Sequence, residues 1–203
     1  MKKVAAALLF GILSIGILFW SSRPDGFLHV YFLDIGQGDS IFIRTPGGEN
    51  IIVDGGPDGA VLSQLGDIMP FFDSTIDYMV MTHPDKDHMA GLTYVLKKYP
   101  VKNILVSNLN KKNFFVTSFL KTLNEKNVPL TMATARTDFD LPHGVKFDTL
   151  WPFQSMLFFG GDTNYSSIVA KISFGSSSVL LTGDAEFPVE EKLISSGADL
   201  GMF

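Results

Sequence analysis

The feature that most constrains this chain is a short cluster of side chains able to bind metal ions. His83, Asp85, Asp87 and His88 fall within six positions, in a chain that has only four histidines. The largely apolar run 76–80 directly precedes them and predicts a β-strand that ends at the cluster. Imidazole nitrogens and carboxylate oxygens are common ligands of zinc and similar divalent ions. We therefore predict a metal site here, rather than a polar loop with two incidental histidines.

Length and composition bound the class of protein. The chain has 203 residues, of which 46% are hydrophobic and 18% charged, which suits one globular domain with a sizeable core. Cysteine is absent, which excludes disulfides, thiolate metal ligands and cysteine nucleophiles. The net charge of −5 argues against nonspecific binding of polyanions by the molecule as a whole.

The N-terminus has the pattern of a membrane segment. Two lysines precede an uncharged run at residues 4–20, which is near the lower limit of about 17–25 residues for a spanning helix. We predict that residues 1–22 are an uncleaved anchor in a bacterial-type cytoplasmic membrane, with the domain facing outside. Secretion after cleavage of a signal peptide is the alternative. Residues 23–27 are then a linker, and residues 28–203 form the domain.

Strand and helix patterns alternate through that domain. Apolar runs between turns predict strands at 28–33, 41–44, 51–53, 76–80, 101–106, 128–132, 145–150, 167–172 and 178–181. Helical spacing of apolar residues predicts helices at 61–69, 92–98, 114–123 and 185–194. The polar stretch 137–140 is expected to lie outside these elements. Such alternation is typical of a layered α/β protein with mixed sheets.

Carboxylates follow several of the predicted strands. Asp34, Asp54 and Asp184 each come directly after one. Because sheets gather functional loops at strand ends, we expect Asp184 to meet the histidine cluster across about a hundred residues of sequence. The alternative is that Asp184 caps the helix predicted from residue 185, and the two roles are compatible.

Positive charge is concentrated between residues 97 and 126. Seven lysines there face a single acid, Glu125. They are Lys97, Lys98, Lys102, Lys111, Lys112, Lys121 and Lys126. Such a group is either a surface that attracts phosphates or simply a solvated face, and both interpretations stay open.

Four motifs in order carry a family resemblance. They are FLDIGQGDS at residues 32–40, IVDGG at 52–56, THPDKDH at 82–88 and LLTGD at 180–184. Together they resemble the metallo-β-lactamase-like domain of ComEC-type DNA-uptake proteins, from about residue 28 to the C-terminus. The HxHxDH signature of the wider superfamily stands here as HxDxDH, the ComEC-like variant. The resemblance implies an αββα four-layer sandwich with mixed sheets and a metal site at the edge of the two sheets.

The resemblance also implies a ligand set for two divalent ions. His83 and Asp85 would hold the first ion, Asp87 and His88 the second, and Asp184 would bridge both. Three carboxylates and two divalent ions leave one positive charge, which favours a bound hydroxide. Paired ions make water a nucleophile near neutral pH, so Asp87 and Asp184 are the predicted catalytic residues. Carboxylate ligands make manganese a competitor of zinc.

Three further residues are assigned by the same resemblance. Asp54 would brace the metal loop from behind the ligands. Asn164 and Ser167 stand where this variant replaces the third histidine of the superfamily, and would contact substrate or complete a ligand set. A polar turn that opens a strand is the alternative for both.

One part of the family pattern is absent from the sequence. Members of the family continue past the last helix into a strand that ends in a His-His-Gly-Ser motif, which completes the second metal site. This sequence ends at Phe203 without that motif. We therefore expect either a fragment or a C-terminally truncated domain whose second metal site is incomplete.

The leading hypothesis is a membrane-tethered hydrolase that uses metal-activated water, acting on phosphodiester bonds of nucleic acid. Two alternatives stay open. One is a non-catalytic or inactive envelope module that binds DNA or a protein partner. The other is a hydrolase of lactones or other esters.

Overall fold

Strands with alternating apolar residues build two β-sheets in this computed structural model, which describes residues 2–21, 23–69, 74–156 and 161–201. The first sheet has six strands, in spatial order β1 (His29–Phe32), β2 (Ile41–Arg44), β3 (Asn50–Val53), β4 (Ile76–Met81), β5 (Val101–Val106) and β6 (Leu130–Met132). Strands β1 to β3 are antiparallel neighbours, and β3 to β6 run parallel to one another.

The second sheet is antiparallel throughout. Its strands are β7 (Phe139–Leu141), β8 (Val145–Trp151), β9 (Val169–Phe174) and β10 (Ser177–Leu181), in spatial order β10-β9-β8-β7. The helices are α1 (Lys2–Ser21), α2 (Val61–Ile68), α3 (Lys86–Lys98), α4 (Phe114–Lys126) and α5 (Phe187–Ser196). One-turn 3₁₀ helices lie at Pro142–Gly144 and Asn164–Ser166.

The two sheets and their helices form four layers. Along β3, Ile52 packs beneath helices α2 to α4, whereas its neighbour Ile51 faces the second sheet and contributes with Phe147 to the core between the sheets. This alternation follows from the two-residue period of a strand. Val189 and Leu193 of α5 cover the outer face of the second sheet. The predicted αββα sandwich with mixed sheets is confirmed.

Helix α3 begins earlier than predicted. Its first residue is Lys86, whereas the sequence placed the start at Leu92. Asp85 has extended backbone, and its carbonyl accepts hydrogen bonds from the N–H groups of His88 and Met89 at 3.1 and 2.9 Å. The second half of the histidine cluster therefore lies in the first helical turn, which fixes it more rigidly than a loop.

Strand β7 was missed because it has only three residues and directly follows the polar residues 137 and 138. The prediction left residues 137–140 outside the regular elements. The ring of Phe139 stacks between those of Tyr78 and Phe147, at centroid distances of 4.2 and 4.6 Å. A single aromatic residue thus holds this short edge strand to both sheets.

Helix α1 covers most of the predicted anchor. Among the described helices, none has both the length and the apolarity needed to cross a bilayer. That finding gives no support to the prediction of an anchor at residues 4–20. Residues 1, 22 and 203, at which predicted segments begin or end, lie outside the described part of the chain.

The ends of several strands meet at one edge of the sandwich. Asp54 follows β3, Thr82 follows β4 and Ser107 follows β5, and these strands are parallel neighbours. Just before β9, the Ile168 N–H donates to the Thr82 carbonyl at 3.0 Å, so the second sheet reaches the same edge. This is the edge at which the sequence predicted the metal site.

Helix α3 touches the turn after β3 through a glycine. A Cβ atom added to Gly91 would lie 1.7 Å from the Gly55 carbonyl oxygen. The Gly91 N–H donates to the Gly56 carbonyl at 2.9 Å, and the Gly55 N–H donates to the His88 carbonyl at 2.7 Å. Any side chain at position 91 would push the helix and the turn apart.

We predict that Gly91→Ala destabilises the domain by about 1–3 kcal/mol or more, because the added methyl group overlaps backbone. Gly66→Ala is the matched control, since Gly66 is exposed on α2 and has open space around its Cβ position. It should stabilise the helix by about 0.5–1 kcal/mol. Urea unfolding measures both, and equal midpoints for the two variants would contradict the close approach.

Candidate metal centre

The centre is built from the end of β4, the first turn of α3 and the turn after β10. His83 follows β4, His88 lies in α3 and Asp184 follows β10. Both imidazoles are buried, and their ring centroids are 4.1 Å apart. The side chain of Asp184 is 40% exposed, so it lies on the solvent-facing side of the site.

A buried carboxylate behind the histidines organises them. Asp54 is 1% exposed and has a left-handed backbone (φ 56°) that non-glycine residues rarely adopt. Its Oδ1 accepts from the Thr82 N–H at 2.8 Å. Its Oδ2 accepts from the Thr82 hydroxyl at 2.6 Å and from Nδ1 of His88 at 2.9 Å. Asp54 thus joins the residue after β4 to the first turn of α3, behind the two imidazoles. Its role as a brace for metal ligands stays a prediction.

The same contacts determine the tautomer of His83. Its Nδ1 lies 3.0 Å from the Thr82 hydroxyl oxygen and 3.3 Å from that of Ser167. Because Thr82 gives its hydroxyl proton to Asp54, it can only accept from His83, whose Nδ1 therefore carries the proton. The lone pair is then on Nε2. Within the described residues, this buried Nε2 has no hydrogen-bond partner.

The free nitrogens of the two histidines converge on one carboxylate. His88 Nε2 lies 3.3 Å from Oδ1 of Asp184, and His83 Nε2 lies 3.9 Å from its Oδ2. One ligand atom from each of the three residues falls within 4.8 Å of the others. Ligands bound at about 2.0–2.1 Å to one tetrahedral ion lie roughly 3.3 Å apart. The donor set and the unpartnered Nε2 therefore fit a divalent ion.

The surroundings of the two imidazoles shift their pKa values in opposite directions. Burial and the positive charge of His88 lower the pKa of His83. Burial also opposes protonation of His88, but the hydrogen bond and charge of Asp54, with the charges of Asp184 and Asp87, raise its pKa to about 9. Without metal, His88 is therefore protonated at neutral pH, and an ion that binds its Nε2 must displace a proton.

Asp85, a predicted metal ligand, lies outside this group of three. Its Oδ1 accepts hydrogen bonds from Lys111 Nζ and from the Thr163 hydroxyl, both at 2.6 Å. Burial acts to raise the pKa of Asp85, but these two bonds and the charge of Lys111 outweigh it and lower that pKa. In this arrangement, Asp85 ties the loop after β5 to the start of α3.

Asp87, the second predicted carboxylate ligand, also lies outside the group of three. It is half-buried in the first turn of α3, where its charge acts on His88. The turn before β2 presses against its backbone, because a Cβ atom on Gly38 would lie 1.9 Å from the Asp87 carbonyl oxygen. This contact brings Asp39 close enough for the charges of the metal centre to act on its carboxyl group. Burial, together with the charges of Asp54 and Asp184, raises the pKa of Asp39.

The two polar residues predicted to replace a third histidine lie in different places. Ser167 is fully buried, with its hydroxyl near Nδ1 of His83. Asn164 donates from Nδ2 to Glu186 Oε1 at 3.1 Å. The suggestion that Asp184 caps the last helix is wrong, because α5 begins at Phe187 and its N-cap position is Glu186.

Sequence reasoning gave no role to several residues that shape the site. Thr82 fixes both histidines, directly or through Asp54, and the Ser107 hydroxyl donates to its carbonyl at 2.5 Å. Thr82 and Asp39 stood within the quoted motifs, so their position was a usable signal. For Lys111, only its membership of the lysine group pointed to function.

Comparison with known proteins shows the family. The sequence profile of the Metallo-beta-lactamase superfamily matches residues 33–202, and the chain belongs to this superfamily. Among solved structures, a metallo-β-lactamase from Cronobacter sakazakii with a HARLDQ motif aligns with a TM-score of 0.50 and 13% identity, over 82% of this chain and 65% of that one. A mutant of it gives 0.52 and 12%, over 83% and 71%. At this identity, the similarity concerns the fold alone.

Three curated relatives are more similar in sequence. Uncharacterized protein YcaI of Escherichia coli is 30% identical, over 91% of this chain and 22% of its own length. Recombination protein 2 of Haemophilus influenzae is 29% identical, over 90% and 22%. ComE operon protein 3 of Bacillus subtilis is 26% identical, over 82% and 23%. The chain thus spans less than a quarter of each of these relatives. The names Recombination protein 2 and ComE operon protein 3 fit a ComEC-like competence domain.

We predict that Asp54→Asn weakens binding of zinc by about 10–100-fold, because an amide has a single acceptor oxygen and cannot replace both Oδ1, which accepts from the Thr82 N–H, and Oδ2, which accepts from His88. Asparagine tolerates the left-handed backbone at this position, so the fold should persist. Competition with a chromophoric chelator measures the affinity. Asp67→Asn makes the same change at an exposed site on α2 and should leave the affinity unchanged. Wild-type affinity in Asp54→Asn would contradict the bracing role.

Proposed function

We propose that this domain is a metal-dependent hydrolase that cleaves phosphodiester bonds of nucleic acid. The observation that carries the proposal is the convergence of two buried imidazole nitrogens on the carboxylate of Asp184. Membership of the superfamily supports hydrolysis as the reaction class. The β-lactam in the superfamily name implies no substrate for this chain.

The residues fit zinc or manganese, as the sequence predicts. His83, His88 and Asp184 would hold one ion, since one ligand atom of each lies within 4.8 Å of the others. A second ion would be bound by Asp87. Asp85 would also bind it if the ion displaced Lys111 from the Asp85 carboxylate. Bound divalent ions supply a Lewis acid and lower the pKa of water.

The chain's own groups prepare the site for that chemistry. Asp54 and Thr82 hold the imidazoles with their Nδ1 protons turned inward, which leaves both Nε2 atoms directed to Asp184. Burial of His83 and His88 keeps bulk water away from the inner side of the site. The half-exposed Asp184 leaves the outer side open to a substrate.

A phosphodiester substrate is supported by the charge at this edge and by the relatives. Lys86, Lys111 and Lys112 are exposed on segments that adjoin the metal centre. Positive side chains there would attract a phosphate backbone. Two relatives carry names that refer to recombination and to the ComE operon, which agrees with a nucleic-acid substrate.

Tethering to the cytoplasmic membrane through residues 4–20, with the domain outside, stays a prediction from the sequence. Extraction of bacterial membranes with alkaline carbonate tests it. An anchored protein stays with the lipid until detergent is added, and release by carbonate would exclude the anchor.

The direct test is hydrolysis of bis-p-nitrophenyl phosphate and of single-stranded DNA with added zinc or manganese. We expect turnover that EDTA abolishes, and a loss of about 100-fold or more in kcat/KM in Asp184→Asn, because that change removes a negative charge from the ligand set. Asp140→Asn, at an exposed position of β7, is the matched control and should retain full activity.

Each alternative function has its own signature in these assays. Absence of phosphodiester hydrolysis with either metal, or full activity in Asp184→Asn, contradicts the proposal. Retention of DNA without bound metal and without turnover would indicate a non-catalytic module. Turnover of acyl-lactones or nitrocefin alone would indicate a different ester or amide hydrolase.

A further inference from the structure

Five of the seven lysines between residues 97 and 126 lie near opposite ends of strand β5. Lys111 and Lys112 follow β5 and lie at the edge that carries the metal centre. Lys102 lies near the start of β5, and Lys97 and Lys98 end α3, at the opposite edge. The sequence could not separate these two sets. Lys111 and Lys112 are therefore the members of this group that lie on the same side as the metal centre.

Lys111 is fixed in place next to the metal centre. Its Nζ lies 2.6 Å from Oδ1 of Asp85, a residue only two positions from His83. The Thr163 hydroxyl donates to the same oxygen, so segments from both halves of the sandwich meet at this point. The Lys111 side chain is still 40% exposed. An ammonium group has three donors, so it can bind a substrate phosphate while Asp85 holds it.

Two phenylalanines extend this edge away from the metal centre. Lys86, the first residue of α3, has its Nζ 5.8 Å from the ring centroid of Phe115. The ring of Phe114 stands at 82° to that of Phe115, with centroids 5.6 Å apart. Phe114 is 77% exposed, which is unfavourable for a large apolar ring in water. Its face is available for stacking.

From this arrangement we propose that Lys86, Lys111, Lys112, Phe114 and Phe115 form a binding lip for a nucleic-acid strand with unpaired bases. Lysines bind the backbone and aromatic rings stack on bases in proteins that hold single strands. A paired duplex keeps its bases stacked inside, so it cannot use the ring of Phe114. The inference rests on the proposed function, because it supplies that hydrolase with a way to hold its substrate.

The test is binding of a fluorescein-labelled oligothymidylate of about 12 nucleotides, followed by fluorescence anisotropy in EDTA so that no turnover occurs. Lys111→Gln should raise Kd about fivefold and reduce the slope of log K against log salt by about 0.7, the value for one lost phosphate contact. Phe114→Ala should raise Kd about tenfold, and should change the Kd of a duplex of equal length by less than about twofold.

Two control variants make the same chemical changes elsewhere. Lys97→Gln removes a lysine charge near the other end of α3, about 16 Å along the helix axis from Lys86. Phe27→Ala removes a ring that is 65% exposed near the start of β1. Both should bind the strand within about twofold of wild type. Equal binding by wild type, Lys111→Gln and Phe114→Ala, or equal losses in the controls, would overturn the lip.

Failure of the lip and failure of the proposed function give different results. If wild type hydrolyses bis-p-nitrophenyl phosphate but the lip variants bind the strand normally, the hydrolase stands and the lip is wrong. If wild type hydrolyses nothing, the proposed function is wrong. The binding data alone then decide whether the lip binds a nucleic-acid strand.

Discussion

The carboxylate of Asp54 is the interaction on which the site depends. Burying a charged group without partners costs several kcal/mol. Here the charge is met by the backbone and hydroxyl of Thr82 and by the ring of His88. Thr82 and His88 belong to different parts of the centre, so one carboxylate fixes the end of β4 and the start of α3 together. The left-handed backbone at Asp54 turns the chain to make this possible.

The bracing extends beyond Asp54 through Thr82. The Thr82 carbonyl accepts from the Ser107 hydroxyl and from the Ile168 N–H, which join the end of β5 and the start of β9 to the same point. Glycines at Gly38 and Gly91 let the flanking turns approach the helix backbone directly. The two sheets then carry Asp184 to the histidines from a distant part of the sequence. Rigid support of this kind is what keeps metal ligands in position.

The sequence predicted most strands and the meeting of Asp184 with the histidines, because these follow from local pattern and from strand ends. The four layers were predicted from the family resemblance of its motifs. It did not predict the partner of Asp85. Ligand chemistry and the family resemblance made Asp85 a predicted metal ligand, whereas its contact with Lys111 depends on how two loops meet. The start of α3 at Lys86 was missed because the polar residues of the cluster hide the helical period. Strand β7 was missed because three residues are too short for a local pattern, and the strand forms by pairing with β8.

The protonation states of the two imidazoles provide the most direct test of the role of Asp54. Long-range ¹H–¹⁵N correlation of the metal-free protein at a pH of about 7.5 reports each ring nitrogen. We predict that His83 is neutral with its proton on Nδ1, and that His88 is protonated on both nitrogens with a pKa of about 9. Added zinc should remove the Nε2 proton of His88. A neutral His83 with its proton on Nε2, or a His88 that titrates near its ordinary pKa of about 6.5, would contradict the role of Asp54.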